Sequence, residues 1–274
     1  MSSPLPLIHP TTYLFVPGHR PDRFAKALAT AAGAVIIDLE DAIAPEDKTA
    51  AREAIRGWCA GGARPDKPLM LRINDESTPW HADDIALAKS TGLVSLMLPK
   101  CESAEQVTRV LGKIGAGGSV MVLVETARGI HNVEDIAASG ASRIAFGTLD
   151  YAVDLDLSGD ERGLEYASAK IAHASRIAGI PSPVAGVTPD IAPERVVADL
   201  AFARAFGFGA KLCIHPAQVE AVRGAMKPTE EQVAWAKRVI DATASNAGAV
   251  KVDGKMVDKP VILKAERILA AAQA

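Results

Sequence analysis

Eight short apolar runs recur along most of the chain, separated by longer stretches with helical spacing. The runs are "TYLFVP" (12–17), "AVIIDLE" (34–40), "LMLRIN" (69–74), "VSLMLPK" (94–100), "VMVLVE" (120–125), "RIAFGT" (143–148), "PVAGVT" (183–188) and "AKLCIHP" (210–216). Within them apolar residues are continuous rather than alternating, the pattern of parallel strands buried on both faces. The stretches between carry helix punctuation. "RPDRFAKALATAAG" has proline in its first turn and ends on Gly33, and "SAEQVTRVLGKIGAGG" opens with a Ser-x-x-Gln capping box and closes on glycines. "APERVVADLAFARAFGFG" follows the same logic. Eight strand–helix units over about residues 12 to 226, at about 27 residues each, predict a (β/α)8 barrel. An open doubly wound sheet competes, but it would carry a glycine-rich nucleotide loop after an early strand, and no GxGxxG or Walker pattern occurs.

Past the barrel the pattern changes. "TEEQVAWAKRVIDATASN" predicts a further amphipathic helix, "AGAVKVDGKMVD" a hairpin around its Asp-Gly pair, and "KPVILKAERILAAAQA" a last helix. The expected organisation is a barrel over 1–228 and an extension over 229–274. A closed ring has no vacant place for that arm. It must cross one end of its own barrel or reach a neighbouring subunit.

Composition narrows the function classes. The 274 residues are 49% hydrophobic and 23% charged with formal net charge -3, which suits a globular chain with one large core. That balance argues against nucleic acid or an anionic membrane as partner, since both select clustered Lys and Arg. No run approaches the roughly 20 apolar residues of a membrane span. "MSSPLPLIHPTTY" lacks the basic and apolar regions of a secretory signal. Cys59, Cys101 and Cys213 are widely separated, odd in number and without metal-type spacing, so a reducing cytoplasm is expected.

Candidate chemistry follows from the barrel, whose active sites form at the C-terminal strand ends. Polar residues that burial would not choose stand there: Asp38, Glu40 and Asp41 after the second strand, Arg72 and Asn74 after the third, Glu125 after the fifth, Asp150 after the sixth and His215 after the eighth. Glu125 follows five apolar residues, so a bare carboxylate there needs a partner. Arg128 or Arg143 would serve in a salt bridge. Asp150 favours another answer, because adjacent strands would bring two carboxylates together and a hard divalent cation relieves their repulsion. With no His or Cys nearby, Mg2+ holding waters or substrate oxygens suits the pair better than Zn2+. Arg72 can grip a substrate carboxylate through two parallel hydrogen bonds, or be neutralised by Glu40 or Asp41 in a structural ion pair. Asp38, Glu40 and Asp41 would orient Arg72 or a metal-bound water. His215, in "IHP", reads better as a hydrogen-bonded turn.

The acidic stretch after Asp150 also scans as a calcium loop, with Asp154, Asp156, Ser158, Asp160 and Glu165 at positions 1, 3, 5, 7 and 12. It emerges from a strand through Gly147, however, and puts Glu161 where a paired loop needs an apolar residue. A solvated turn beside an active-site mouth is the expectation.

Ordered segments of the chain resemble the citrate lyase beta-subunit-like family, acyl-CoA lyases related to malyl-CoA and citramalyl-CoA lyases. They are "LFVPGHRPDRFAKAL", "AVIIDLEDAIAPEDKTAAR", "LRIN", "LPKCES", "VETARGI", "FGTLDYAVDL", "GAKLCIHPAQV" and "DGKMVDKPVILKAERIL". The resemblance spans nearly the whole chain. It implies a Mg2+-dependent (β/α)8 barrel assembled as a trimer or a dimer of trimers. It makes Glu125 and Asp150 the metal carboxylates and Arg72 the substrate-carboxylate arginine. It makes Arg20 and Lys26 contacts to coenzyme A phosphates, and Asp258 an acid/base that the C-terminal arm delivers into a neighbour's site. As a bare sequence feature, Asp258 is equally a helix cap ahead of Pro260. The implied reaction cleaves a 3-hydroxyacyl thioester to a 2-keto acid and an acyl-CoA. Four other readings stand beside it. They are the citryl-carrier lyase subunit of a citrate lyase complex, a thioester hydrolase, a CoA-independent keto-acid aldolase and a non-catalytic metabolite-binding protein.

Overall fold

The computed structural model describes residues 9–62, 66–244 and 250–273. Strands β1 (Thr12–Pro17), β2 (Ala34–Asp38), β3 (Leu69–Arg72), β4 (Ser95–Leu98), β5 (Ser119–Val124), β6 (Arg143–Phe146), β7 (Val184–Ala185) and β8 (Ala210–Cys213) pair in chain order. All pairs are parallel, and β1 also pairs with β8, so the sheet closes into the expected (β/α)8 barrel. The flanking helices are α1 (Pro21–Ala29), α2 (Lys48–Ala60), α3 (His81–Thr91), α4 (Ala104–Ile114), α5 (Ala127–His131) and α6 (Val133–Ala138). They continue with α7 (Thr148–Asp154), α8 (Glu165–Ile177), α9 (Pro193–Ala205) and α10 (Pro216–Met226). The Ser103–Gln106 capping box that opens α4 is formed in both directions.

Period-two side-chain alternation divides each strand between two apolar layers. Ala34, Ile36, Met121, Leu123, Ala210 and Leu212 belong to one cluster inside the barrel. Their strand neighbours Val35, Ile37 and Val122 face the other way and are equally buried. Two covered faces are why the strands read as unbroken apolar runs.

Six of the eight strands are shorter than the sequence pattern, mostly at the C-terminal end, whereas β1 and β5 keep their full length. The ladder nevertheless runs one bond further, with Leu39 N donating to Arg72 O at 2.9 Å and Gly147 N to Val124 O at 2.9 Å. The chain therefore stays extended while its side chains turn polar, and the loops that follow carry the chemistry. The run 183–188 shrinks most, to Val184–Ala185.

The described residues form two compact units that divide after Val222. The second contains α11 (Glu230–Ala244), the antiparallel pair β9 (Val250–Val252) and β10 (Lys255–Val257), and α12 (Lys259–Gln273). Its core is Ala236, Val239 and Ala265, with Trp235 and Ile268 packed against it. Asp253 and Gly254 sit at φ 51° and 76°, as the two central positions of a type I′ hairpin turn require. Among the described residues no helix is long and apolar enough to cross a membrane.

Candidate active site

Register places the first ion pair. Asp38 and Arg72 are direct partners on β2 and β3, so their side chains leave the same face together. Arg72 donates from Nε to Asp38 Oδ1 at 2.7 Å and from Nη2 to Asp38 Oδ2 at 2.6 Å. Its guanidinium stacks over the Phe15 ring, 4.8 Å from the centroid. Nη1 lies 2.7 Å from Glu40 Oε2 and 3.3 Å from Asp41 Oδ2. Burial alone would weaken this cation's hold on its proton, but Asp38, Glu40 and Asp41 together raise its pKa above the ordinary value. The ion pair to Glu40 or Asp41 that the sequence allowed for Arg72 is present by distance, but its strongest partner is Asp38, to which sequence reasoning assigned only an orienting role. One edge of the guanidinium is fixed by Asp38; the other meets the exposed Asp41.

Lys100, just past β4, links two buried carboxylates. It is a non-glycine residue at φ 47°, a left-handed conformation that costs about 1–2 kcal/mol. In that pose its backbone N donates to Glu125 Oε1 at 2.7 Å and its Nζ to Glu40 Oε1 at 3.3 Å. Burial first, then the charge of Glu40 and, more weakly, that of Asp150, push the Glu125 carboxyl up to about 8. Burial also pushes Glu40 up to about 7, with Asp41 adding to it against Arg72 and Lys100. Glu40 Oε2 touches Arg72 Nη1, yet not in hydrogen-bonding orientation, so among the described residues this buried oxygen has no hydrogen-bond partner. A contact by distance alone does not satisfy a lone pair, and we count the atom as unsatisfied.

Gly147 guards Glu125. Val124 pairs with Phe146, which sets Gly147 directly beside the glutamate. A Cβ there would collide with the Glu125 carboxylate. Gly147→Ala is expected to destabilise the fold by about 1–3 kcal/mol through this overpacking, read by urea denaturation.

The salt bridge from Glu125 to Arg128 or Arg143 is not formed. Arg128 pairs with Glu102 at 3.5 Å, and Arg143 donates to Pro10 O, Ser182 O and the Tyr13 hydroxyl. Asp150 stands half-buried in the first turn of α7. Within the acidic stretch, Asp154 accepts from Ala127 N at 2.7 Å and Asp160 chelates Arg162 at 2.6 and 2.9 Å. Among the described residues no three His, Cys, Asp or Glu side chains gather as a metal-holding group. His215 is exposed, and its Nδ1 accepts from Ala217 N, a turn contact. Arg20 precedes α1 and is held by Asp22 at 2.8 and 2.9 Å, while Lys26 is exposed in the last turn of α1. Asp258 belongs to the second unit, where its Oδ1 accepts from Val261 N at 3.3 Å at the start of α12.

Sequence reasoning missed Lys100, Lys48 and Asp84. Lys48 on α2 is buried and donates to Leu39 O, Glu40 O and Asn74 Oδ1, each at 2.7 Å, clamping the β2 and β3 loops together. Asp84 on α3 accepts from Asn74 N and Nδ2 and from Arg52. Lys100 ends an apolar run, a signal that could have been weighed as Glu125 was. Lys48 and Asp84 lie in ordinary helical sequence, with no local sign of burial.

A closed (β/α)8 barrel that gathers Arg72, Glu40, Glu125 and Lys100 at its C-terminal strand ends has the architecture of a barrel enzyme. A model described as HpcH/HpaI aldolase/citrate lyase matches residues 11–216, and the chain belongs to that family. A "Citrate lyase subunit beta-like protein" of Mycobacterium tuberculosis is 37% identical over 273 residues, covering 95% of this chain and 94% of its own. A "(3S)-malyl-CoA thioesterase" of Cereibacter sphaeroides is 31% identical over 275 residues, covering 97% of this chain and 96% of its own. The crystal structure of CitE from M. tuberculosis in complex with magnesium, acetoacetate and coenzyme A has TM-score 0.86 and 36% identity. It covers 96% of this chain and 98% of that one.

Proposed function

We propose that the protein is a Mg2+-dependent carbon–carbon lyase. It cleaves, or in reverse condenses, a malyl-, citramalyl- or citryl-type 3-hydroxyacyl-CoA into a 2-keto acid and an acyl-CoA. The observation that carries this reading is Glu125: a buried carboxylate facing the charges of Glu40 and Asp150 with one backbone amide as hydrogen-bond donor. Such a group is unstable as a bare anion and fits a hard divalent cation, with Glu125 and Asp150 as the residues that would hold it. When bound, Mg2+ supplies Lewis-acid polarisation of the substrate's oxygens. The M. tuberculosis structure with magnesium and coenzyme A supports both partners.

The chain's own groups then divide the work. Asp38 fixes the Nε edge of Arg72, so the substrate carboxylate would approach the Nη1 side, where Asp41 is exposed and can swing away and where Glu40 stands close without making a hydrogen bond. Transfer of the hydroxyl proton to a water molecule in the site turns that C–O bond into a carbonyl and breaks the adjacent C–C bond. The electron pair goes to the thioester α-carbon, and the 2-keto acid departs. The enolate then takes a proton, which we assign to Asp258 arriving from a neighbouring subunit. The 229–274 extension is the arm that carries it, which implies a homotrimer or hexamer. Arg20 and Lys26 would meet the coenzyme A phosphates, with Arg20 exchanging Asp22 for phosphate. Three free cysteines support a cytoplasmic setting.

A hydrolytic outcome at the same site is favoured by the Cereibacter relative, a thioesterase at 31% identity. One assay separates the readings. The purified protein is incubated with Mg2+ and malyl-, citramalyl- and citryl-CoA, and keto acid and free CoA are followed separately, with Asp150→Ala as control. Keto acid plus intact acyl-CoA, lost in the variant, identifies the lyase and its substrate. Free CoA without matching keto acid identifies hydrolysis. No turnover of any CoA ester excludes both, leaving the citryl-acyl-carrier-protein subunit of a citrate lyase complex or a CoA-independent aldolase.

Metal and proton compete in this reading, which sets a pH dependence. Glu125 at about 8 and Glu40 at about 7 lie above the ordinary 4.5, so the folded state binds more protons than the unfolded one between these values. Stability of the metal-free protein should therefore fall as pH rises from about 5 to about 8. Mg2+ should offset the fall, so its increment in Tm grows with pH. A Tm series with EDTA or excess Mg2+ checks this. A metal-free Tm that rises steadily over the window contradicts it.

A further inference from the structure

A cavity of about 440 Å3 lies outside the barrel wall. Ala145, Val184 and Ala210 point into the barrel, so their neighbours Phe146, Ala185 and Lys211 point outward, and these three line the cavity. Helices α8 and α9 contribute Ser168 and Phe202, and α7 with the loop behind it contributes Leu149 and Leu157. The cavity shares no residue with Arg72, Glu125 or Lys100 and does not depend on the thioester reading.

Lys211 is the anomaly in this wall. It is 2% exposed, at a position between strand and helix layers where the other outward residues are apolar. Its Nζ donates to Gly186 O at 2.7 Å, whereas an ammonium has three donors. Among the described residues no carboxylate pairs with it. Asp199, which lines the same cavity, accepts from Thr188 Oγ1 at 2.6 Å and pairs with Arg195 at 2.8 Å. Burial pulls Lys211 down to about 8, partly against the charge of Asp199, so it is still mostly protonated at neutral pH. An unpaired buried cation costs several kcal/mol and is a candidate for function.

We propose that this cavity binds a small amphipathic carboxylate, a fatty or aryl acid. Its apolar body would fill the space against Phe146, Leu157 and Phe202, and its anionic head would take the open donors of Lys211. The chemistry selects that class. The walls are mostly apolar, and the other charged groups that line them already hold partners: Asp160 pairs with Arg162, Glu161 and Asp199 with Arg195, and Asp190 accepts from Ala192 N. Those carboxylates disfavour a dianion such as phosphate, and a neutral ligand leaves the Lys211 cation unpaired. The volume suits a small molecule, and among the charged groups of the lining Lys211 is the buried one with open donors. Helix α7 gives Leu149 to this cavity and bears Asp150 one residue on, so an occupant packs against the helix that carries that carboxylate.

Isothermal titration of the full-length protein with octanoate tests the assignment, with 1-octanol as the neutral analogue. Saturable binding is expected with Kd of about 1 mM or tighter. Octanol, and octanoate on Lys211→Met, should bind at least about 10-fold more weakly, the loss expected for a charged hydrogen bond. Leu157→Trp fills the cavity from a half-buried loop position and should remove binding while leaving Lys211 in place. It serves as the test if Lys211→Met fails to fold. Absence of octanoate binding overturns the proposal, as does octanol binding equally well. Unchanged affinity in Leu157→Trp or in folded Lys211→Met overturns it too.

Discussion

Glu125→Gln is expected to lower kcat/KM for the cleaved thioester by about 10^3-fold and to make the metal-free protein more stable, not less. The two effects share one cause. Glutamine keeps the shape and the acceptor that Lys100 N bonds at 2.7 Å, but removes a buried negative charge that faces Glu40 and Asp150. Losing that charge relieves the fold and takes away the ligand proposed for the cation, so on that reading charge stabilisation of the transition state falls by the amount typical of one lost electrostatic group. Keto-acid release gives the rate, and Tm in EDTA at pH 8 gives the stability. Near-normal turnover in the variant would remove Glu125 from the reaction, and a lowered Tm would contradict the account of its raised pKa. Such opposition between stability and activity is common where an active site stores unfavourable charge.

Arg72→Met should move stability the other way, by about 3–5 kcal/mol, because it leaves the buried Asp38 charge without its cation, held only by the amides of Glu40 and Ala42. Arg72→Lys keeps a positive charge but presents a point rather than a fork, so it should retain more stability and, if Arg72 grips the substrate carboxylate as proposed, still lose about 10^2-fold in kcat/KM through its misplacement. A double variant, Asp38→Asn with Arg72→Met, should lose less stability than the sum of its singles, as expected of partners across one strand register. Urea midpoints on the four proteins complete the cycle. Additive losses would mean that the two side chains do not depend on each other.

The barrel was legible because each strand is covered on both faces, which forces unbroken apolar runs such as 120–124 in "VMVLV". Strand ends were less legible, since the chain stays extended past the last paired residue at Leu39 and Ile73. Arg72 and Glu125 could be found by contrast, as charges set at the end of an apolar run, and so could Asp150, two residues past one. Their partners could not, because partnership is decided by neighbouring strands far apart in sequence. Asp38 meets Arg72 only through register, and Lys48 reaches Asn74 only because α2 folds back over β2 and β3. Lys211 went unread for a related reason. A lysine inside an apolar strand carries no mark of the side to which it points.

Lys100 is a crossbar. From the end of β4 it holds Glu40, which follows β2, with its ammonium, and Glu125, which follows β5, with its peptide nitrogen. Truncating its side chain therefore releases one carboxylate and leaves the other tethered, so an alanine scan would record half of what the residue does. The other half lies in the left-handed backbone turn, which a proline would abolish together with the donor itself. The charge of Glu40 also raises the Glu125 carboxyl, so what happens at one end of the crossbar is felt at the other.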